Sequence, residues 1–191
     1  MAYVFVYLNG DFRGLYILSE SIDRNTDCRI NVSKEGYIFE YDAYWWNEDV
    51  FVPSTRIRYN YTFKYPDAED ITTDSKNYIA SEIAKFEHGF FTKDSIADNI
   101  SLHSFARWLM VHDIIGSQDF AGSNLYFSKK DASSESPISM ICAWDFDGAF
   151  SVADNWSSVH NKWWFEPCFN LPQKDFINDY LNIYDTQVDN I

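Results

Sequence analysis

The period of the apolar residues changes at Pro66, and that change limits the folds open to this chain. Residues 56–66, RIRYNYTFKYP, alternate: Ile57, Tyr59, Tyr61 and Phe63 share one face of a strand, and Arg58, Asn60, Thr62 and Lys64 the other. Proline has no N–H for a sheet ladder, so the strand ends at Pro66. Beyond it, Ile79, Ile83, Phe86 and Phe90 recur at helical spacing. Thr72, Thr73 and Asp74 supply N-cap side chains, so a helix is predicted over 73–89.

The same switch orders the rest of the chain. Residues 2–22 read as a β-hairpin around Asn9-Gly10, the strongest short turn signal there is. GYIFEYDAYW (36–45) reads as another strand. DNISLHSFARWLMVHDIIG predicts a second helix over 101–115, stopped by Gly116. NLYFSK and ISMICAWDF read as two short strands joined by a polar turn at 129–137, and residues 172–184 as a last helix. Strands first and helices after them point to an α+β fold with segregated elements. The length of 191 residues suits one domain, with a β-rich part over 1–66 and a mainly helical part over 67–191.

Composition narrows the partners. Aromatics make up 19% of the chain, far more than a disordered segment carries. The net charge is −14, which repels nucleic acid and anionic lipid, so neither is an expected partner. No apolar run is long enough for a transmembrane segment, and no signal peptide pattern opens the chain. The three cysteines, Cys28, Cys142 and Cys168, form no C-x-x-C pair, which argues against zinc.

The chemistry concentrates in 119–147. Asp119 and Asn124 lie in a loop between a predicted helix and a predicted strand, and Asp145 and Asp147 follow the short hairpin, in AWDFDGAF. Phosphoryl transfer needs a carboxylate near the attacking hydroxyl, metal ligands against the phosphates and a cation on the remaining phosphates. Asp119 and Asn124 have the D-x-x-x-x-N spacing of a kinase loop, and Asp145 follows after a hairpin. Magnesium prefers such carboxylate and amide oxygens. Lys64, ending a strand before the first helix, is the candidate cation. The competing reading is plain: Asp and Asn favour turns for their own reasons, and Lys64 is then an exposed strand lysine.

Taken in order, VYLNGDFRGLYILSESID, GYIFEYD, FKYPDAEDIT with YIASEIAKFE, QDFAGSNLYF and AWDFDGAF resemble the motifs of the CotH family, the spore-coat protein kinases and their relatives. The resemblance implies an atypical protein-kinase-like fold, a β-rich N-terminal lobe followed by a helical lobe with a small catalytic hairpin. It implies ATP with Mg2+ or Mn2+ and transfer of phosphate to Ser or Thr of a protein substrate. It makes Asp119 the catalytic carboxylate, and Asn124, Asp145 and Asp147 metal ligands. Lys64 then meets the phosphates and Trp144 the base. Glu20 is a partner for Lys64, with Glu82 and Glu87 as rivals. It also implies a coat or surface protein as substrate, and a location in the spore coat, at the cell surface or outside the cell. Ala143 stands where the family has proline before its W-D pair, and the family's members carry a segment upstream of the opening hairpin.

Other features carry less. His112 and Asp113 are adjacent on a helix and point about 100° apart, so they do not form a base and its orienting acid. The clusters Tyr44-Trp45-Trp46 and Trp163-Trp164-Phe165 fit a core or an interface better than a ligand site. No histidine is placed to activate Ser117 or Ser123. Two alternatives remain: a non-catalytic coat or surface protein that binds a partner through an aromatic face, and an enzyme of this fold that transfers another group, such as AMP.

Overall fold

The computed structural model describes residues 2–25, 30–92, 96–116, 124–146, 165–171 and 175–188. It opens on an antiparallel hairpin, β1 (Ala2–Leu8) and β2 (Asp11–Leu18). The turn residues Asn9 and Gly10 both have positive φ, 52° and 88°, as an Asn-Gly turn requires. This hairpin forms a sheet of its own, and its large apolar side chains, Phe5, Tyr7, Phe12 and Leu15 among them, are exposed.

Five more strands form one antiparallel sheet. They are β3 (Tyr37–Asp42), β4 (Phe51–Val52), β5 (Asn60–Tyr65), β6 (Leu125–Lys129) and β7 (Ile138–Met140). Their order is β4–β5–β3–β6–β7, so β3 is central. The two parts on either side of Pro66 therefore share this sheet: β6 and β7, from the second part, pair onto β3 from the first.

The helices are α1 (Thr73–Thr92), α2 (Ile96–Asn99), α3 (Leu102–Ile115), α4 (Glu166–Phe169) and α5 (Asp175–Val188). The predicted α3 is bounded as its caps demand. The Ser101 hydroxyl accepts from the Ser104 N–H, and Gly116 closes the helix at φ 62°. The apolar stripe of α1, Ile79, Ile83, Phe86 and Phe90, lies in one core with Tyr37, Phe39 and Tyr41 of β3, Tyr61 of β5 and Phe127 of β6. Rings interlock there: Phe39 stacks on Phe127 at 5.5 Å, and Phe86 meets Phe127 edge-on at 5.5 Å. Among the described residues, no helix is long and apolar enough to cross a membrane.

Three strands are shorter than predicted, each for a local reason. β3 ends at Asp42 rather than at 45, where the Asp42 carboxylate accepts from the Tyr44 N–H and turns the chain. β5 begins at Asn60 rather than at 56. The Ser54 hydroxyl accepts from the N–H groups of Arg56 and Ile57 and bends the chain there. β7 stops at Met140 rather than running to 146. The Ile141 N–H still donates to the Tyr126 carbonyl at 3.1 Å, but the Cys142 carbonyl is taken by the Trp108 indole N–H at 3.0 Å. A helix side chain thus replaces the next strand bond.

The bend before β5 is tied to α1 by Glu87, whose residue exposure is 0%. Its carboxylate accepts from the Ser54 hydroxyl, from the Thr55 N–H and hydroxyl at 3.0 Å each, and from the Tyr61 hydroxyl at 3.1 Å. Removing it strands the buried Tyr61 hydroxyl and three partly buried donors at once. Glu87→Ala should lower the unfolding free energy by about 3 kcal/mol, read from urea denaturation.

Candidate functional site

Alternation gives β3 two unlike faces. Tyr37, Phe39 and Tyr41 enter the aromatic core, so Ile38, Glu40 and Asp42 point the other way. Glu40 and Asp42 are both buried. Asp42 is held at both oxygens: the Thr62 hydroxyl donates to Oδ2 at 3.0 Å and the Tyr44 N–H to Oδ1 at 2.7 Å. Glu40 Oε2 lies 3.3 Å from Lys64 Nζ. Tyr126 of β6 stands opposite Glu40 in the ladder and its hydroxyl lies near the carboxylate, which therefore has a neighbour on each flanking strand.

Lys64 reaches Glu40 through an irregularity in the ladder. Phe39 faces Phe63 and Ile38 faces Tyr65, which leaves Lys64 as the extra residue of a β-bulge. Bulges of this kind re-aim a side chain. Burial pushes the Glu40 carboxyl above its ordinary value; the Lys64 ammonium and the Tyr126 hydroxyl pull it back part of the way. Burial likewise raises the Tyr126 hydroxyl, and the neighbouring Glu40 carboxylate adds to that rise.

The polar face continues toward the segment after β7. The Tyr126 ring meets Trp144 edge-on, with centroids 6.4 Å apart. Next to Trp144, the Asp145 Oδ2 accepts from the Asn124 amide at 3.2 Å, although 21 residues separate the two. Among the described residues, three non-glycines have positive φ: Asn9 in its turn, Asn124 at 63° and Asp145 at 60°. Left-handed backbone is unfavourable for an L-residue, and such outliers gather at functional sites.

Four of the expected site residues therefore stand in one run of contacts or beside it: Lys64, Trp144, Asn124 and Asp145. Asp119 and Asp147 lie outside the described residues, as do Trp163 and Trp164. Glu20 is exposed just past the end of β2. The carboxylate on Lys64 is Glu40, which the motif reading did not single out. The rivals on α1 are engaged elsewhere: Glu82 pairs with Lys85 at 2.6 Å and Lys129 at 3.2 Å, and Glu87 takes the donors of the β5 bend. The signal for Glu40 was present, since two acids at alternate positions in a strand of aromatics share its second face.

His112 and Asp113 diverge as expected. His112 Nδ1–H donates to the Trp108 carbonyl at 2.9 Å, while Asp113 accepts from the Tyr180 hydroxyl at 2.7 Å. The His112 ring stacks on Trp108 at 3.6 Å and meets Phe146 at 5.5 Å, so it underlies the segment that carries Asp145. Burial holds the His112 pKa below its usual value, which favours the neutral ring.

The donor set suits a hard cation. Here the Asn124 amide nitrogen faces Asp145 Oδ2, and a flip of the amide would set its oxygen beside the carboxylate; magnesium commonly binds one or two such oxygens and takes its other ligands from water and phosphate. No group of three or more His, Cys, Asp or Glu poised for a metal occurs among the described residues. Such a face combines an anchored ammonium, an aromatic ring and an amide beside a carboxylate, the residue types that a phosphate- and metal-binding site draws on. The family model described as CotH kinase protein matches residues 1–187, and the chain belongs to the CotH family, which is kinase-like. No curated protein and no solved structure matches the chain.

The backbone at Asn124 and Asp145 gives a direct check on the strain. Glycine accepts φ near +60° freely, whereas alanine does not. Asn124→Gly and Asp145→Gly should each be more stable than the corresponding alanine variant by about 1 kcal/mol, measured by thermal unfolding.

Proposed function

We propose that this protein is an ATP-dependent, divalent-metal-dependent kinase that transfers the γ-phosphoryl group to Ser or Thr of a protein substrate. The observation that carries the reading is the meeting of Asn124 and Asp145, both left-handed, beside Trp144 on the face that also holds Lys64. Family membership supports nucleotide and metal use.

In this reading Asn124 and Asp145 hold Mg2+ or Mn2+, with Asp147 as a further ligand. The ion supplies charge neutralisation on the phosphates. Lys64 binds the α/β-phosphates, Trp144 lies against the base, and Asp119 accepts the proton of the attacking hydroxyl. The protein's contribution is placement: the groups are fixed before the nucleotide arrives, and the sheet excludes water from one side of the site. A coat or surface protein is the substrate class that the family suggests, with a location to match.

Isothermal calorimetry tests the site. Wild type should bind ATP when Mg2+ or Mn2+ is present and much less without either. Asp145→Ala should lose the metal-dependent part while keeping its fold. Binding that ignores both metal and the variant would refute the assignment. Intact-mass analysis of a modified substrate separates phosphate from AMP as the transferred group.

A second reading has one observation in its favour. Tyr44 and Trp46 are 62% and 60% exposed and stack edge-on at 5.6 Å. A non-catalytic relative would dock a partner through such rings. It would bind no nucleotide under any metal condition.

A further inference from the structure

In protein kinases the lysine on the phosphates is oriented by a glutamate carried on a helix, and movement of that helix switches the site. The face assignments here rule out the two helix carboxylates the sequence offered. The helix α1 lies on the aromatic side of the sheet, where Phe86 meets Phe127. Its Glu82 is bound to Lys129, which is buried on that same side, and its Glu87 is fully buried among Ser54, Thr55 and Tyr61. Lys64 is on the opposite face.

Glu40 stands where the helix glutamate would be needed, but it comes from the central strand. Its backbone is paired to β5 on one side and β6 on the other. Its carboxylate meets Lys64 of β5 and the Tyr126 hydroxyl of β6. Only 10% of its side chain is exposed, against 29% for Lys64, so the carboxylate is the fixed partner and the ammonium reaches outward. Tyr126 also touches Trp144, so one residue braces both the lysine side and the ring side of the face.

We propose that Glu40, braced by Tyr126, is the positioning residue for Lys64, and that this half of the site is assembled permanently by strand register rather than switched by a helix. The proposal rests on the nucleotide reading given above. Moving the backbone of Glu40 away from that of Lys64 would require breaking the β3–β5 ladder, whereas a helix-borne carboxylate leaves by rigid-body movement. The lysine is thus oriented before ATP binds, and control of such an enzyme must act elsewhere, on the metal loop or on substrate access.

The test uses the full chain and the variants Glu40→Gln, Glu40→Asp and Tyr126→Phe. Lys64 is acetylated with a small activated ester, without nucleotide, and its rate is read by peptide mass spectrometry against exposed Lys85. Without the ion pair the amine is no longer held against the carboxylate and meets the reagent more freely. Glu40→Gln should raise the relative rate at Lys64 several-fold and weaken Mg-ATP binding roughly tenfold, while adenosine, which lacks phosphates, binds as before. Glu40→Asp should recover part of both effects. Should Glu40→Gln fail to fold, Tyr126→Phe carries the test, with smaller changes in the same direction. Unchanged Lys64 reactivity and ATP affinity in a folded variant would overturn the positioning role alone. A wild type that binds no ATP would overturn the nucleotide reading, and the role with it, whatever the labelling shows.

Discussion

The register of β3 is the constraint on which the rest depends. This strand is central and buried on both faces, yet the faces are opposite in character. Phe39 and Tyr41 close the aromatic core, and Glu40 and Asp42 build the polar face. A slip of one residue would drive two carboxylates into the core and expose the rings. The register is held from both edges by β5 and β6. It is held at its start by Gly36, where an added Cβ would come within 2.9 Å of the Lys129 carbonyl oxygen. Core packing and site placement are therefore one decision. The burial that favours Phe39 inward is what holds Glu40 against Lys64.

The part of the face that carries Asn124 and Asp145 is set by a different device. Helix α3 docks along the outer edge of β7 with polar groups in step. The Ser101 N–H donates to the Ile138 carbonyl, the Ser104 hydroxyl accepts from the Met140 N–H, and the Trp108 indole donates to the Cys142 carbonyl. Helix positions 101, 104 and 108 thus match strand positions 138, 140 and 142. An edge strand ordinarily leaves such groups open to another chain. Here the helix satisfies them and guides the chain past the last strand bond. One turn further along α3, His112 supports Phe146. Trp144 and Asp145 are thereby delivered from a segment that is not a strand but is pinned on both sides of them.

Much of the architecture was legible in the sequence, and the misses have common causes. The Asn-Gly hairpin, the caps of α3 and the helical stripe of α1 are local signals, and local signals survive folding. Strand ends were less legible. The bend at Ser54 depends on a carboxylate 33 positions away, and the end of β7 on an indole 34 positions away. The joining of β6 and β7 to β3 is a non-local pairing that no window of sequence contains. The site divides in the same way. Lys64, Asn124, Trp144 and Asp145 were legible as motifs. The pairing of Lys64 with Glu40 was not, because it arises from a bulge and a register between two strands.

The division of the acidic residues follows from this. Glu82 and Glu87 resemble Glu40 in type and in low side-chain exposure, yet the motif reading offered Glu20, Glu82 and Glu87 for Lys64 and passed over Glu40. What separates them is the face of the sheet. Carboxylates on the α1 side meet donors that hold the fold together: Lys129, whose ammonium also ties the Ser133 and Ser136 carbonyls, and the hydroxyls around the β5 bend. Carboxylates on the other side meet a partly exposed ammonium, a tyrosine and a threonine. Both oxygens of Glu82 and of Glu87 are taken by contacts on the α1 side, which leaves none for a ligand. A buried acid whose partner reaches toward solvent can orient that partner for one. On the proposed reading, the acids of α1 serve stability, and Glu40 and Asp145 serve the ligand. The two can be altered separately because a sheet stands between them.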